Sequence, residues 1–245
     1  TNKVAWQWKA NAGTTSSDSN GDINSTVQVN TTAGFSIVQY NPSDTTTRDI
    51  GHGLGVKPDC ILIRNRTRVE NWRMWFNSIG TGALTLDGTA AYTVNANLVN
   101  SATTSTFNVG SDFSVNGNYP YMAYCWNSVQ GYSKFGKYTG NSSTDGTFVY
   151  LGFKPRFVMI CSTDAGVGRY MHDTKRSPIN VIDDYLRADA SDQQGTSATV
   201  NVDFLSNGFK LRFNNNTNFS SHVYVYMAFA ENPFVTSTGI PTTAR

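Results

Sequence analysis

The chain has 245 residues, a formal net charge of +2, 15% charged residues and 13% aromatics. That length holds one large or two small domains, either able to bury a core. The small net charge and the lack of a basic run argue against nucleic acid as a partner, and no apolar run reaches the roughly 18 residues needed to enter and cross a bilayer.

The rest of the sequence leans on Asn, Thr, Ser and Gly. Few charges with many β-branched and aromatic residues suit short strands joined by polar turns. Cys60, Cys125 and Cys161 lie in apolar runs. An odd count without framework spacing argues against a disulfide scaffold, and no Cys-x-x-Cys pair is present to hold zinc. Buried free thiols are expected.

In chain order, residues 1–10 hold Val4-Ala-Trp-Gln-Trp8, which resembles Met122-Ala-Tyr-Cys-Trp126. The expectation is the closing strand of a preceding repeat that is absent here, so the sequence reads as the C-terminal part of a longer polypeptide. Residues 11–32 read as a Ser/Thr/Asn-rich linker, mobile unless it lies along a neighbour. Within it Asp18-Ser-Asn-Gly-Asp22 opens like a calcium loop. Ile23 and Val29, however, stand where such a loop needs Gly and Glu, so a solvated loop is expected.

Residues 33–130 read as a first unit, with strands over 35–40, 60–63, 71–76, 107–109, 113–115 and 121–126. Residues 83–86 and 91–94 read as short strands or a helical turn. Residues 131–235 read as a second unit, with strands over 148–151, 157–161, 169–172, 201–205, 209–213 and 223–230. The last of these is apolar on both faces and should be central. Residues 182–188 carry Asp183 and Asp184 where a helix dipole would favour them, and are expected to be the one helix. Residues 236–245 form a tail.

The two units share phrases. Gly53-Leu-Gly-Val-Lys-Pro58 and Leu151-Gly-Phe-Lys-Pro155 each lead into an apolar run, 97 residues apart at the prolines. A proline lacks an N–H, so it can open a strand but not sit centrally in one. Phe107 matches Phe204 at the same offset, Tyr40 falls near Tyr138, and Tyr121-Met-Ala matches Tyr226-Met-Ala. Landmarks in one order imply an internal duplication. Many short strands separated by Gly, Asn and Ser imply an all-β fold of two tandem antiparallel β-sandwiches, jelly-roll or lectin-like.

Phe35-Ser-Ile-Val-Gln-Tyr40, His52-Gly-Leu-Gly55, Ser133-Lys-Phe-Gly-Lys-Tyr138, Asp145-Gly-Thr-Phe-Val-Tyr150 and Phe204-Leu-Ser-Asn-Gly-Phe209 together resemble a domain family of tailed bacteriophages of marine and cyanobacterial hosts. The resemblance implies a virion protein of the tail or tail fibre with a structural or adhesive role. It also implies other virion proteins as partners and, by analogy with tail fibres, a homotrimer. It carries over no catalytic residue.

The residues themselves favour no enzyme. Glu occurs only at positions 70 and 231, and no paired-carboxylate strand motif, Gly-x-Ser-x-Gly elbow, P-loop or His-Glu-x-x-His is present. No cofactor or metal is expected. A host-surface glycan would call for aromatic faces beside Asn, Asp and Arg. Asn71, Trp72, Arg73 and Trp75 form the densest such group. The offset of 97 places Arg169, Tyr170 and His172 opposite them in the second unit, and Tyr119 lies near a further edge. Core packing competes with ligand binding at these strands, and the loops 65–71, 164–169 and 214–220 are further candidates. Three functions stay open: a tail-fibre adhesin, a structural decoration of capsid or tail, and a carbohydrate-active enzyme.

Overall fold

A computed structural model describes residues 4–11, 13–164 and 166–233. The described residues contain no helix. The first half runs β1 (Ser16–Asp18), β2 (Ser25–Asn30), β3 (Phe35–Tyr40), β4 (Arg48–Gly51), β5 (Cys60–Asn65), β6 (Arg73–Phe76), β7 (Leu84–Thr85), β8 (Val99–Ala102), β9 (Thr106–Val109) and β10 (Tyr121–Trp126). The second half runs β11 (Ser133–Thr139), β12 (Phe148–Tyr150), β13 (Pro155–Ser162), β14 (Arg169–Asp173), β15 (Asp184–Arg187), β16 (Gly195–Thr196), β17 (Val202–Leu205), β18 (Gly208–Leu211) and β19 (Val223–Ala230).

These strands form four antiparallel sheets. In the first half β1-β2-β3-β10-β5-β6-β7 make a large sheet and β4-β9-β8 a small one. Tyr40, Ile61, Trp75 and Ala123 from the large sheet meet Ile50, Val99, Phe107 and Val109 from the small one in a shared core. In the second half β11-β19-β13-β14-β15-β16 face β12-β18-β17, and Tyr138, Ile160 and Tyr226 meet Val149, Phe204 and Phe209. Each half is therefore a β-sandwich whose inner faces are the alternate residues of its strands. The outer faces of the two large sheets also meet. Phe35, Met74, Phe76 and Trp126 pack with Phe157, Met159, Met227 and Phe229. The chain is thus four β-layers deep.

The neighbour order recurs between the halves. β10 lies between β3 and β5 as β19 lies between β11 and β13, and the small sheets repeat in the same order. Pro58 precedes β5 and Pro155 opens β13. Gly55 and Gly152, three residues before each proline, both have positive φ, +73° and +85°. That left-handed geometry is what glycine supplies at no steric cost.

Several expectations change. Tyr40 pairs with Tyr121, and Tyr138 pairs with Tyr224 rather than Tyr226. Phe107 packs edge-on against Tyr40, and Phe209, not Phe204, does so against Tyr138. The offsets at these strands are thus 103 and 102 residues. Residues 11–32 are not a linker. β1 and β2 extend the large sheet past β3, because Val27 and Val29 alternate with polar residues and Val27 reaches the core. Residues 182–188 form no helix. β15 pairs with β14, joining Arg187 to Tyr170. Residues 113–115 form a turn instead of a strand, closed by Val115 N–H donating to Asp112 C=O at 3.0 Å. Residues 4–10 form no strand. Trp6 packs on Phe157, and Trp8 packs against Trp126, Phe157 and Phe229, along the margin between the large sheets. The tail at 236–245 lies outside the described residues. All three cysteines are buried and unbridged.

Candidate functional site

Strand alternation divides the residues that the sequence groups together. Along β6 and the residue before it, Arg73 and Trp75 point to the inner core side, while Trp72 and Met74 face outward, because successive side chains alternate faces. Trp75 is 1% exposed and belongs to the core, so it meets no ligand. Arg73 is held inward by Ser114 Oγ at 2.8 Å and Thr85 Oγ1 at 2.9 Å.

The matching residues of the second half are likewise corrected. Arg169 is fully buried. Its guanidinium donates to Ser162 O (2.8 Å), Thr85 O (3.2 Å) and Ala90 O (2.9 Å). Thr85 and Ala90 belong to the first half, so this arginine staples the two halves and is not available to a ligand. His172 is also fully buried. Burial first, then the Arg176 guanidinium, pushes its pKa down to about 4. Neither ring nitrogen has a well-formed hydrogen bond among the described residues, and the Asp184 backbone acts in the opposite direction. Tyr170 is half-buried against Tyr185, with centroids 5.4 Å apart.

Two surface groups remain. At one end of the first sandwich the 65–71 loop meets Tyr119. The Arg68 guanidinium lies 4.8 Å from the Phe113 ring centroid and 5.6 Å from that of Tyr119, and bonds Glu70 at 2.7 Å. This cluster spends its charge internally.

The stronger group lies on the outer face of the large sheet, at the margin of its contact with the second half, where Trp72 and Tyr124 are half-buried and Trp126 is buried. Trp72 and Tyr124 are near-parallel, 6.3 Å apart with planes 25° from parallel, and Tyr124 and Trp126 repeat this at 6.2 Å and 25°. Trp126 stacks in turn on Phe35 at 5.1 Å. These rings, with Trp8, Ile37 and Leu62, line a groove of about 260 Å³. The platform is rigid. Tyr124 and Trp126 sit two apart on the central strand β10, hence on one face. The Trp72 N–H donates to Asp87 Oδ1 at 3.0 Å and its C=O accepts from Leu86 N at 3.0 Å. Arg64 lies over the Trp72 ring at 5.6 Å and 3.8 Å from the Asp87 carboxylate. Asn71 is exposed beside Trp72. A larger hollow of about 410 Å³, walled by Ser16, Asp18, Asn20 and Gly53 among others, has no aromatic ring.

Of the predicted residues, then, Trp72 joins the platform and Tyr119 joins the Arg68 cluster. Tyr124, Trp126, Trp8 and Arg64 are the members that sequence reasoning overlooked. Two aromatics at spacing two on a strand were the available signal.

No group of three or more His, Cys, Asp or Glu among the described residues could hold a metal ion, and no helix is long and apolar enough to cross a membrane. No curated protein and no solved structure matches the chain. Residues 1–233 match the family described as Domain of unknown function (DUF7483), and the chain belongs to that family.

Proposed function

We propose that this chain is a non-enzymatic virion protein of a tailed bacteriophage, an adhesin of the tail or tail fibre that contacts the host surface through the outer face of its first large sheet. The observation that carries the reading is the Trp72–Tyr124 pair, two half-buried rings held near-parallel on a rigid sheet beside a groove and backed by the buried Trp126. Aromatic faces with little freedom to lose on binding suit many weak contacts, and a homotrimer multiplies them. The recurrence of strand order supports an internal duplication as the origin of the two sandwiches.

A non-enzymatic role is supported by the chemistry of the groove. None of its lining side chains is a carboxylate, histidine or cysteine, so it offers no acid–base pair for glycoside cleavage. His52 and His172 are fully buried, and both have lowered pKa values. Burial pushes the Cys125 and Cys161 thiols up to about 12, far from the thiolate a nucleophile needs.

The second reading is a capsid or tail decoration that binds virion proteins only. It is favoured by the four-layer packing and the Arg169 staple, which suit a rigid building block. Cryo-electron microscopy of the intact virion separates the two. The adhesin places this fold at a fibre tip with the groove facing outward. Density lying flat on capsid or tail tube, groove inward, replaces it with the decoration.

A further inference from the structure

We propose that the groove takes an uncharged glycan chain, its pyranose rings laid on the half-buried Trp72 and Tyr124 rings, which Trp126 backs, and its hydroxyls reaching an adjoining row of amides and hydroxyls. The proposal rests on the adhesin reading and names the ligand class for the same face. A hollow of about 350 Å³, lined by Thr15, Thr26, Gln28, Gln39 and Met122 among others, shares Ile37 and Tyr124 with the aromatic groove. The two therefore adjoin on one face of the sheet, aromatic at the β6 side and amide-lined at the β2 side.

Three features select the ligand. First, no side chain lining either hollow is charged. The ionic groups at the rim, Arg64 and Asp87, face each other at 3.8 Å, and Arg64 also covers Trp72. An anionic chain would bring its charges over apolar rings with no cation among the lining side chains to meet them, which is costly. Second, Thr15 and Thr26 are exposed and Gln28 and Gln39 half-buried along the amide-lined hollow. Amides and hydroxyls both donate and accept, as sugar hydroxyls do. Third, the C–H-lined face of a pyranose matches the negative face of an aromatic ring. A protein sheet pressed on the same face would bury those amides without obligatory partners.

The test is a titration of the full chain, followed by tryptophan fluorescence, with neutral gluco-, galacto- and manno-oligosaccharides and with uronate- and sialate-bearing ones. At least one neutral chain is expected to give saturable binding that changes less than about twofold between roughly 0.05 and 0.5 M salt. Trp72→Ala and Tyr124→Ala are expected to weaken it about tenfold each, the loss of one stacking contact. Gln39→Ala, which removes no ring, is expected to weaken it by a smaller factor. The proposal is overturned if only anionic chains bind, if no neutral chain binds, or if Trp72→Ala binds like the parent. It is also overturned if Trp72→Ala converts an oligomer to monomer while neither protein binds sugar, since the face is then a protein interface. Cell labelling without neutral-glycan binding removes the ligand class and leaves the adhesin standing, and the converse result removes the adhesin.

Discussion

The Tyr40 ring lies against the Tyr121 ring, centroids 5.2 Å apart and planes 15° from parallel, and Tyr138 repeats this with Tyr224 at 5.1 Å and 13°. Each first tyrosine also donates its hydroxyl at 2.7 Å to a turn carbonyl, Val115 O for Tyr40 and Thr217 O for Tyr138. The same device thus fastens the large sheet to a distal turn in both sandwiches. Both hydroxyls are fully buried, and burial holds their pKa values well above the usual phenol range, so they remain donors. Tyr40→Phe and Tyr138→Phe each leave a buried carbonyl unpaired. Each is expected to lower stability by about 1–2 kcal/mol in denaturant unfolding, with the fold retained.

Arg169 is predicted to matter far more. Truncation to Ala strands several buried carbonyls from both halves and opens a cavity. A loss of at least about 3 kcal/mol is expected. Arg169→Lys should not restore it, because one ammonium cannot reproduce a planar fork that reaches separated carbonyls in both halves. Comparing equilibrium unfolding of the two variants checks this, and equal stability of Arg169→Lys and the parent would contradict the staple.

His172 makes stability depend on pH. Its folded pKa of about 4 lies below the ordinary value near 6.5. Between those values the unfolded chain binds a proton that the native chain refuses. Stability is therefore fully present above about pH 6.5 and declines as pH falls, by about 2 kcal/mol at pH 5 from this group. Arg176 strengthens the effect, while Asp173 and the Asp184 backbone oppose it. Lowered in the same direction, His52 adds to the slope. His172→Leu should flatten the pH 7 to 5 stability profile relative to the parent.

Trp72 and Trp75 stand three residues apart and do different work. Trp75→Ala empties part of the first core and should cost about 3–5 kcal/mol. Trp72→Ala should change stability by less than about 1 kcal/mol, since its ring is part of an open surface. Thermal melts of the pair distinguish core from surface directly.

Much of the fold was legible in the sequence, because Phe35–Tyr40 and Tyr121–Trp126 carry the strand pattern openly and each Lys-Pro pair stands at the entry to a strand, β5 and β13. The register of β19 was not. A slip of two residues keeps every side chain on its proper face, so Tyr226 aligns as plausibly as Tyr224 until the partner strand is known. The Ser/Thr/Asn composition of 11–32 hid the two-residue alternation of Val27 and Val29. The candidate site was half legible. Trp72 and Trp75 are neighbours in sequence and fall on opposite faces, and the rings that complete the platform come from β10 and from Trp8, which only the fold brings near. Arg169 resembles a surface donor in sequence and is buried because the first half supplies its acceptors.

The central claim is that the face carrying Trp72 and Tyr124 touches the host. The direct measurement is labelling of host cells by fluorescent parent protein, Trp72→Ala and Tyr124→Ala, each first shown to be folded. The account predicts that the parent decorates the cell surface and that both variants lose most of that labelling. Equal labelling by all three proteins, or none by the parent, would contradict it.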